Sequence, residues 1–391
     1  MEAELAQSVG QLLIIGFDGV EMTPRLASLL RRVQPTGVIL FARNIKSAEQ
    51  TWRLLRDCQK CVETPLFKCV DLEGGMVDRL RDALEPTPSA SDVFATGDRR
   101  LFRKHGQIIG ESCRAFGFNV DFAPVLDLAL EPSRSVMGSR TVSASPRETI
   151  RYAREFLAGL RTATVLGCGK HFPGLGEGRL DSHHEMPVIE KSLKRMWEED
   201  LLPYRTLQRW LPFVMVCHAA YPKVTTDHTP ASLSRIWIND ILRKRIGYRG
   251  LIVSDDLEMG GVRPAASVGQ AAVEFIRAGG DLCLVCHREE LVMQAYEELA
   301  KAVEQDKKFA RRTAEAAGRV LAHKKKWARV LGAEGLAHSG TSAGSSHVSQ
   351  KRRDVGHPRL SSLRAPSAAS VERLTRRLWE FDEQVRLEKL W

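Results

Sequence analysis

The stretch GLIVSDD, Gly250–Asp256, holds three consecutive apolar residues and then ends on a serine and two carboxylates. A strand with one face in water alternates apolar and polar residues, whereas a strand covered on both faces reads as an unbroken apolar run. GLIVSDD is of the second kind, and its polar end is the second clue. The same pattern recurs along the chain: LLIIGF (12–17), GVILFA (37–42), LFKCVD (66–71), VDFAPVLDL (120–128), VLGCGKHF (165–172), FVMVCHA (213–219) and DLCLVCH (281–287). With GLIVSDD they make eight. Helical sequence is expected between them at 48–62, 98–116, 146–161, 191–210, 235–246 and 267–279, and again from 288 to about 330. Eight buried strands alternating with helices read as a (β/α)₈ TIM-like barrel, with a doubly wound open sheet as the alternative. In a barrel, reactive groups lie at the C-terminal ends of the strands. Asp71 and Glu73, Asp127, Lys170 and His171, His218, and Asp255 and Asp256 all fall there.

A carboxylate at a strand end serves as nucleophile, metal ligand or helix N-cap. A cap accounts for one of Asp255 and Asp256 but not for both. A second cluster lies in KHFPGLGEGRLDSHHEMP (Lys170–Pro187), where Gly174, Gly176 and Gly178 separate a Lys-His pair from Asp181 and His183. Glycine contributes no packing and costs backbone entropy, so a mobile loop is expected. In extended chain Asp181 and His183 point the same way, and a carboxylate beside an imidazole suits a general acid at neutral pH.

The chain has 391 residues, 43% hydrophobic and 27% charged, with a net charge of +10. That charge suits an anionic partner, but the basic residues are scattered among acidic ones, and no nucleic-acid-binding module is recognisable. MEAELAQSVGQ lacks a basic leader region, and no apolar run is long enough to span a bilayer, so a cytoplasmic protein without membrane contact is expected. The eight cysteines are dispersed, mostly in apolar runs, as reduced buried thiols are. CLVCH (283–287) matches a haem-attachment pattern but lies in a buried run, and no metal or other cofactor is expected. Residues 1–330 form the expected barrel. Residues 331–370 are rich in Gly, Ser, Ala and Arg and read as a disordered segment. Residues 371–391 place Leu374, Leu378, Phe381 and Val385 at helical spacing, an amphipathic helix that could dock on the barrel or on a partner.

The strings DLEGGMVDRL (71–80), VMGSR (136–140), KHFPGLGEGRLDSH (170–183), HAAYPKV (218–224) and GLIVSDDLEMGG (250–261) stand in the order and approximate spacing of glycoside hydrolase family 3. Within it the chain most resembles the single-domain bacterial β-N-acetylglucosaminidases of peptidoglycan recycling, over roughly residues 8–325. The resemblance implies a retaining glycosidase that releases terminal β-linked N-acetylglucosamine through a covalent glycosyl-aspartate. It makes Asp255 the nucleophile, His183 the general acid/base and Asp181 its partner. Asp71, Arg79, Arg140, Lys170 and His171 match positions that hold the sugar hydroxyls, and His218 matches a pocket histidine. It further implies a muropeptide-like amino-sugar glycoside as substrate; a monomer is expected. Met76 and Leu175 depart from the family, which usually has Arg and His there. A phosphorylase is the runner-up, because a histidine acid does not repel phosphate; a sugar-binding barrel without activity is the third reading. All matched motifs precede residue 331, so the tail is expected to be dispensable for the chemistry.

Overall fold

The computed structural model describes residues 8–178, 185–262, 265–328 and 365–389. The eight apolar runs each supply one strand: β1 (Leu13–Ile15), β2 (Gly37–Ile39), β3 (Phe67–Val70), β6 (Val120–Asp121), β7 (Leu166–Phe172), β8 (Phe213–Val216), β9 (Leu251–Asp256) and β10 (Leu282–Val285). All pair in parallel and in chain order, and β10 returns to β1 through Leu13 opposite Cys283, so the sheet closes into a barrel. Along each strand one set of side chains fills the barrel and the alternate set meets the helices. Ile14, Val253 and Leu284 belong to the inner cluster; Leu13, Ile252 and Cys283 belong to the outer one. Both sets are buried, which is why the runs show no polar alternation. Cys283 and Cys286 fall into different clusters, so the two thiols of CLVCH do not face a common group.

The helices used below are α1 (Pro24–Val33), α2 (Ala48–Lys60), α3 (Ala90–Ala95), α4 (Arg99–Phe116), α5 (Pro146–Thr162), α6 (Leu201–Leu207), α7 (Val268–Ala278), α8 (Glu289–Gln305), α9 (Lys307–Lys326) and α10 (Ala368–Glu388). Helix α1 has no counterpart among the expected helices. Its signals are nonetheless local: Thr23 Oγ1 accepts from Leu26 N at 3.1 Å, and Pro24 opens the first turn. The expected helix over 191–210 is broken into Leu193–Glu198 and α6.

A short antiparallel hairpin, β4 (Leu72–Gly74) and β5 (Val77–Asp78), follows β3 and turns at Gly74 and Gly75, both at positive φ (83° and 59°). Helix α9 closes the other end of the barrel. The Trp327 ring lies 5.5 Å from Phe213 and 6.2 Å from Phe67 by centroid. The buried Lys324 ammonium donates to Gln11 Oε1 (3.0 Å) and Thr64 Oγ1 (2.9 Å). Helix α9 and Trp327 thus cover the base of the barrel.

Helix α10 begins at Ala368, three residues ahead of the expected boundary, with Ser367 as N-cap. Its apolar stripe, Leu374, Leu378, Phe381 and Val385, is buried, and it lies along α4 and α3. Positions 331–364 of the expected disordered segment lie outside the described residues. Among the described residues no helix is long and apolar enough to cross a membrane.

Candidate active site

A cavity of about 370 Å³ opens at the C-terminal ends of the strands. Its most enclosed side is an ionic network. The Lys170 side chain, at the end of β7 and 3% exposed, donates to Asp71 Oδ1 at 2.8 Å and pairs with Glu73 Oε1 at 2.6 Å. Arg140 grips the same Glu73 with two bonds, Nε to Oε2 at 2.8 Å and Nη2 to Oε1 at 2.9 Å. Two basic side chains face two acidic ones, so their charges balance. Burial alone would push Glu73 up, but Arg140 and Lys170 outweigh it and hold the carboxyl well below the usual range. Burial likewise works to lower Lys170, and Asp71 and Glu73 reverse the direction. Arg140 is raised by Glu73 against the same penalty.

Next to Lys170 stands His171, joined to it by a cis peptide bond. Its Nδ1 lies 2.7 Å from Asp127 Oδ2, and its backbone N–H reaches the same oxygen at 3.1 Å. Arg140 Nη2 approaches the other ring nitrogen, Nε2, at 3.4 Å. A guanidinium only donates, so these partners assign the proton to Nδ1 and leave Nε2 an acceptor at the cavity. Asp127 Oδ1 also accepts from Leu175 N at 2.7 Å, fixing the first part of the glycine-rich segment.

That segment is less loose than its composition implies. A Cβ at Gly174 (φ 135°) would stand 2.8 Å from the Asp200 Cβ, and one at Gly176 would stand 2.8 Å from the Leu128 carbonyl oxygen. Close packing demands glycine at both positions. Glu177 is paired with Arg195 at 3.2 Å, outside the cavity lining. Gly178 does line the cavity. Asp181 and His183 lie outside the described residues.

Asp255 and Asp256 end β9 on the far side of the cavity, and both line it. Their surroundings separate them. Asp256 Oδ1 accepts from Glu258 N at 3.1 Å, the local turn expected of a capping aspartate, and Oδ2 lies 3.2 Å from His287 Nε2. Asp255 Oδ1 accepts from Asp256 N at 2.9 Å. His218 does not line the cavity. It is fully buried beneath β9, with Nδ1 2.7 Å from Ser232 Oγ and Nε2 3.0 Å from the Asp256 carbonyl oxygen. Burial pushes its imidazole below the ordinary histidine range although Asp255 pulls the other way. A neutral ring donating to that carbonyl supports the end of β9.

Arg79 reaches the cavity from β5's end. Its guanidinium stands 5.6 Å from the Phe41 ring centroid, and its buried Nε has no hydrogen-bond partner among the described residues. Arg43 and His287 meet the same ring at 4.8 and 5.1 Å. Phe41, Arg43 and His287 follow strands β2 and β10, so the strand-end rule that selected Asp71 and Lys170 applies equally to them. The cavity thus brings together Asp71, Arg79, Arg140, Lys170, His171 and Asp255, and adds Glu73, Asp256, Arg43 and His287 to them. Met137, Met215, Leu284 and Ile39 supply its apolar lining. Neutralised donors and acceptors beside an apolar wall, facing a strand-end aspartate, suit an uncharged polyol ring and attack by a carboxylate.

The glycosyl hydrolase family 3 N-terminal domain matches residues 4–322. A β-hexosaminidase of Bordetella avium is 37% identical over 296 residues, 74% of this chain and 84% of its own length. A family 3 β-N-acetylglucosaminidase structure from Paenibacillus sp. str. FPU-7 superposes with a TM-score of 0.80 at 32% identity, covering 96% of this chain and 68% of that one. NagZ from Neisseria gonorrhoeae, solved with N-trifluoroacetyl-D-glucosamine, gives 0.67 at 29% identity, over 80% of this chain and 98% of its own. The matched stretch spans all eight strands of the barrel: the chain belongs to glycoside hydrolase family 3.

Proposed function

We propose that this glycoside hydrolase releases a terminal, non-reducing β-linked N-acetylglucosamine with retention of configuration. The observation that carries the reading is the placement of Asp255 at the end of β9, across one cavity from the Lys170–Asp71–Glu73–Arg140 network. In this reading the network and His171 Nε2 hold the sugar hydroxyls. Asp255 attacks the anomeric carbon while His183, oriented by Asp181, protonates the departing oxygen. His183 then takes a proton from water, which attacks the same carbon and frees Asp255. Gly178, the last described residue ahead of that pair, lines the cavity. The named activities of the Paenibacillus and Neisseria proteins support an amino sugar.

The test compares chromogenic β-N-acetylglucosaminide with β-glucoside, using the full chain and its Asp255→Ala and Asp256→Ala forms. Turnover of the first glycoside, lost in Asp255→Ala and retained in Asp256→Ala, is expected. Turnover that survives Asp255→Ala overturns the assignment. Added phosphate distinguishes a phosphorylase, which would form the sugar 1-phosphate. The sequence resemblance also brings a peptidoglycan fragment as substrate, and the sequence reading adds a cytoplasmic location and a monomeric state; assays on muropeptides, cell fractionation and sedimentation test these.

A further inference from the structure

Helix α10 lies beyond residues 4–322, the part of the chain that matches the family, yet its packing leads to the active site. Phe381, fully buried, packs against the His105 ring of α4 at a centroid distance of 5.9 Å. His105 is also fully buried, with Nδ1 2.7 Å from Tyr152 Oη. Its other ring nitrogen stands beside the β4–β5 hairpin, where a Cβ at Gly74 would lie 3.2 Å from His105 Nε2. Gly74 adjoins Glu73, the carboxylate shared by Arg140 and Lys170. A second route runs through α3. Lys389, just past α10, pairs with Asp92 at 2.5 Å, and α3's N-cap Ser89 packs so closely on Gly75 that a Cβ there would meet the Ser89 Cβ at 2.5 Å. Further contacts fasten the helix: Arg377 to Glu111 at 2.6 Å, and Lys104 to Gln384 at 2.8 Å with its ammonium over the Phe381 ring.

We propose that α10 positions the substrate-gripping hairpin, with Phe381 and His105 as positioning residues that hold Glu73 in register with Arg140 and Lys170. The proposal rests on the reading that this network grips the sugar. It reverses the expectation that the tail is dispensable. Glu73 sits on strands of three and two residues, which have little stability of their own. Pro88–Ser89 and His105 stand against the hairpin at Gly74 and Gly75, and α10 packs on His105 and pairs with α3.

The experiment uses full-length chains: wild type, Phe381→Ala, Phe381→Leu and, on the exposed face of the same helix, Trp379→Ala. Each is assayed on the chromogenic N-acetylglucosaminide well below its melting midpoint, and amide exchange is followed over residues 72–78. Wild-type turnover tests the functional reading by itself; if it is absent, that reading fails and the exchange data alone decide the positioning claim. Phe381→Ala is expected to raise KM roughly tenfold, with a smaller change in kcat, and to speed exchange in the hairpin while strands β7–β9 stay protected. Phe381→Leu is expected to restore most of the KM, and Trp379→Ala to behave as wild type. A Phe381→Ala chain that melts earlier but keeps its KM and hairpin protection overturns the proposal. If that chain does not fold, the Arg377→Ala/Lys389→Ala double variant replaces it: a raised KM with faster hairpin exchange supports the proposal, and unchanged values overturn it.

Discussion

Lys170 keeps its charge in a nearly closed space because two carboxylates meet it there. Removing one member of such a group leaves the others buried and uncompensated. Lys170→Met is therefore expected to cost about 3–5 kcal/mol in urea unfolding and to abolish measurable turnover. Asp127→Asn keeps the shape but weakens a charged hydrogen bond that fixes the His171 tautomer; a loss of about 10- to 100-fold in kcat/KM is expected, with little change in melting. The pH dependence has a definite sign. The folded Glu73 carboxyl is depressed, so its pairing is fully present above the unfolded value of about 4.3 and is lost as pH falls through the lower folded value. Lys170 is raised, so its contribution is fully present below the unfolded value of about 10.4 and is lost as pH rises through the higher folded value. Between about pH 5 and 10 neither changes. A neutral limb in kcat/KM then belongs to another group, by our proposal His183, and is expected to vanish in His183→Ala. A limb that persists there would contradict that assignment. Asp71, Lys170, His171 and Asp255, which line one cavity, were legible in the sequence because polar residues ending apolar runs stand out. It placed His218 in the pocket, whereas His218 supports β9 from below; nothing in one sequence tells a side chain at a cavity from one a layer deeper.

The eight strands were legible because both of their faces are buried, and burial on both faces leaves an unbroken apolar run that a half-exposed strand does not. The β4–β5 hairpin was not, although its residues were singled out as a motif. Strands of three and two residues carry no measurable period, and their Gly-Gly turn reads equally as a loop. At Gly74 the reason for glycine is double: φ is positive, and a Cβ would come within 2.3 Å of the Pro88 carbonyl oxygen. Gly74→Ala is expected to destabilise the fold by more than about 1 kcal/mol and to raise KM; an alanine chain with wild-type KM would separate the hairpin from substrate binding. The glycines at 174 and 176 were read as flexibility, and the structure shows close approach instead. Composition alone does not distinguish the two, because both need the missing Cβ.

Across the whole molecule, α9 and Trp327 fill one end of the barrel, and the chemistry is left to the other, where all eight strand ends converge. The amphipathic pattern of 371–391 was readable, but its docking surface was not, since an apolar stripe does not name its partner. The central claim is that Asp255 becomes glycosylated and that the sugar leaves with the configuration it brought. It is tested most directly by incubating the full chain with a 5-fluoro-N-acetylglucosaminyl fluoride, which slows both steps, and then mapping the digested protein by mass spectrometry. The account predicts one added fluorosugar on the peptide that contains Asp255, fragmenting to that residue and absent from Asp255→Ala. An adduct on Asp256, or none while the probe is turned over to an inverted product, would contradict it.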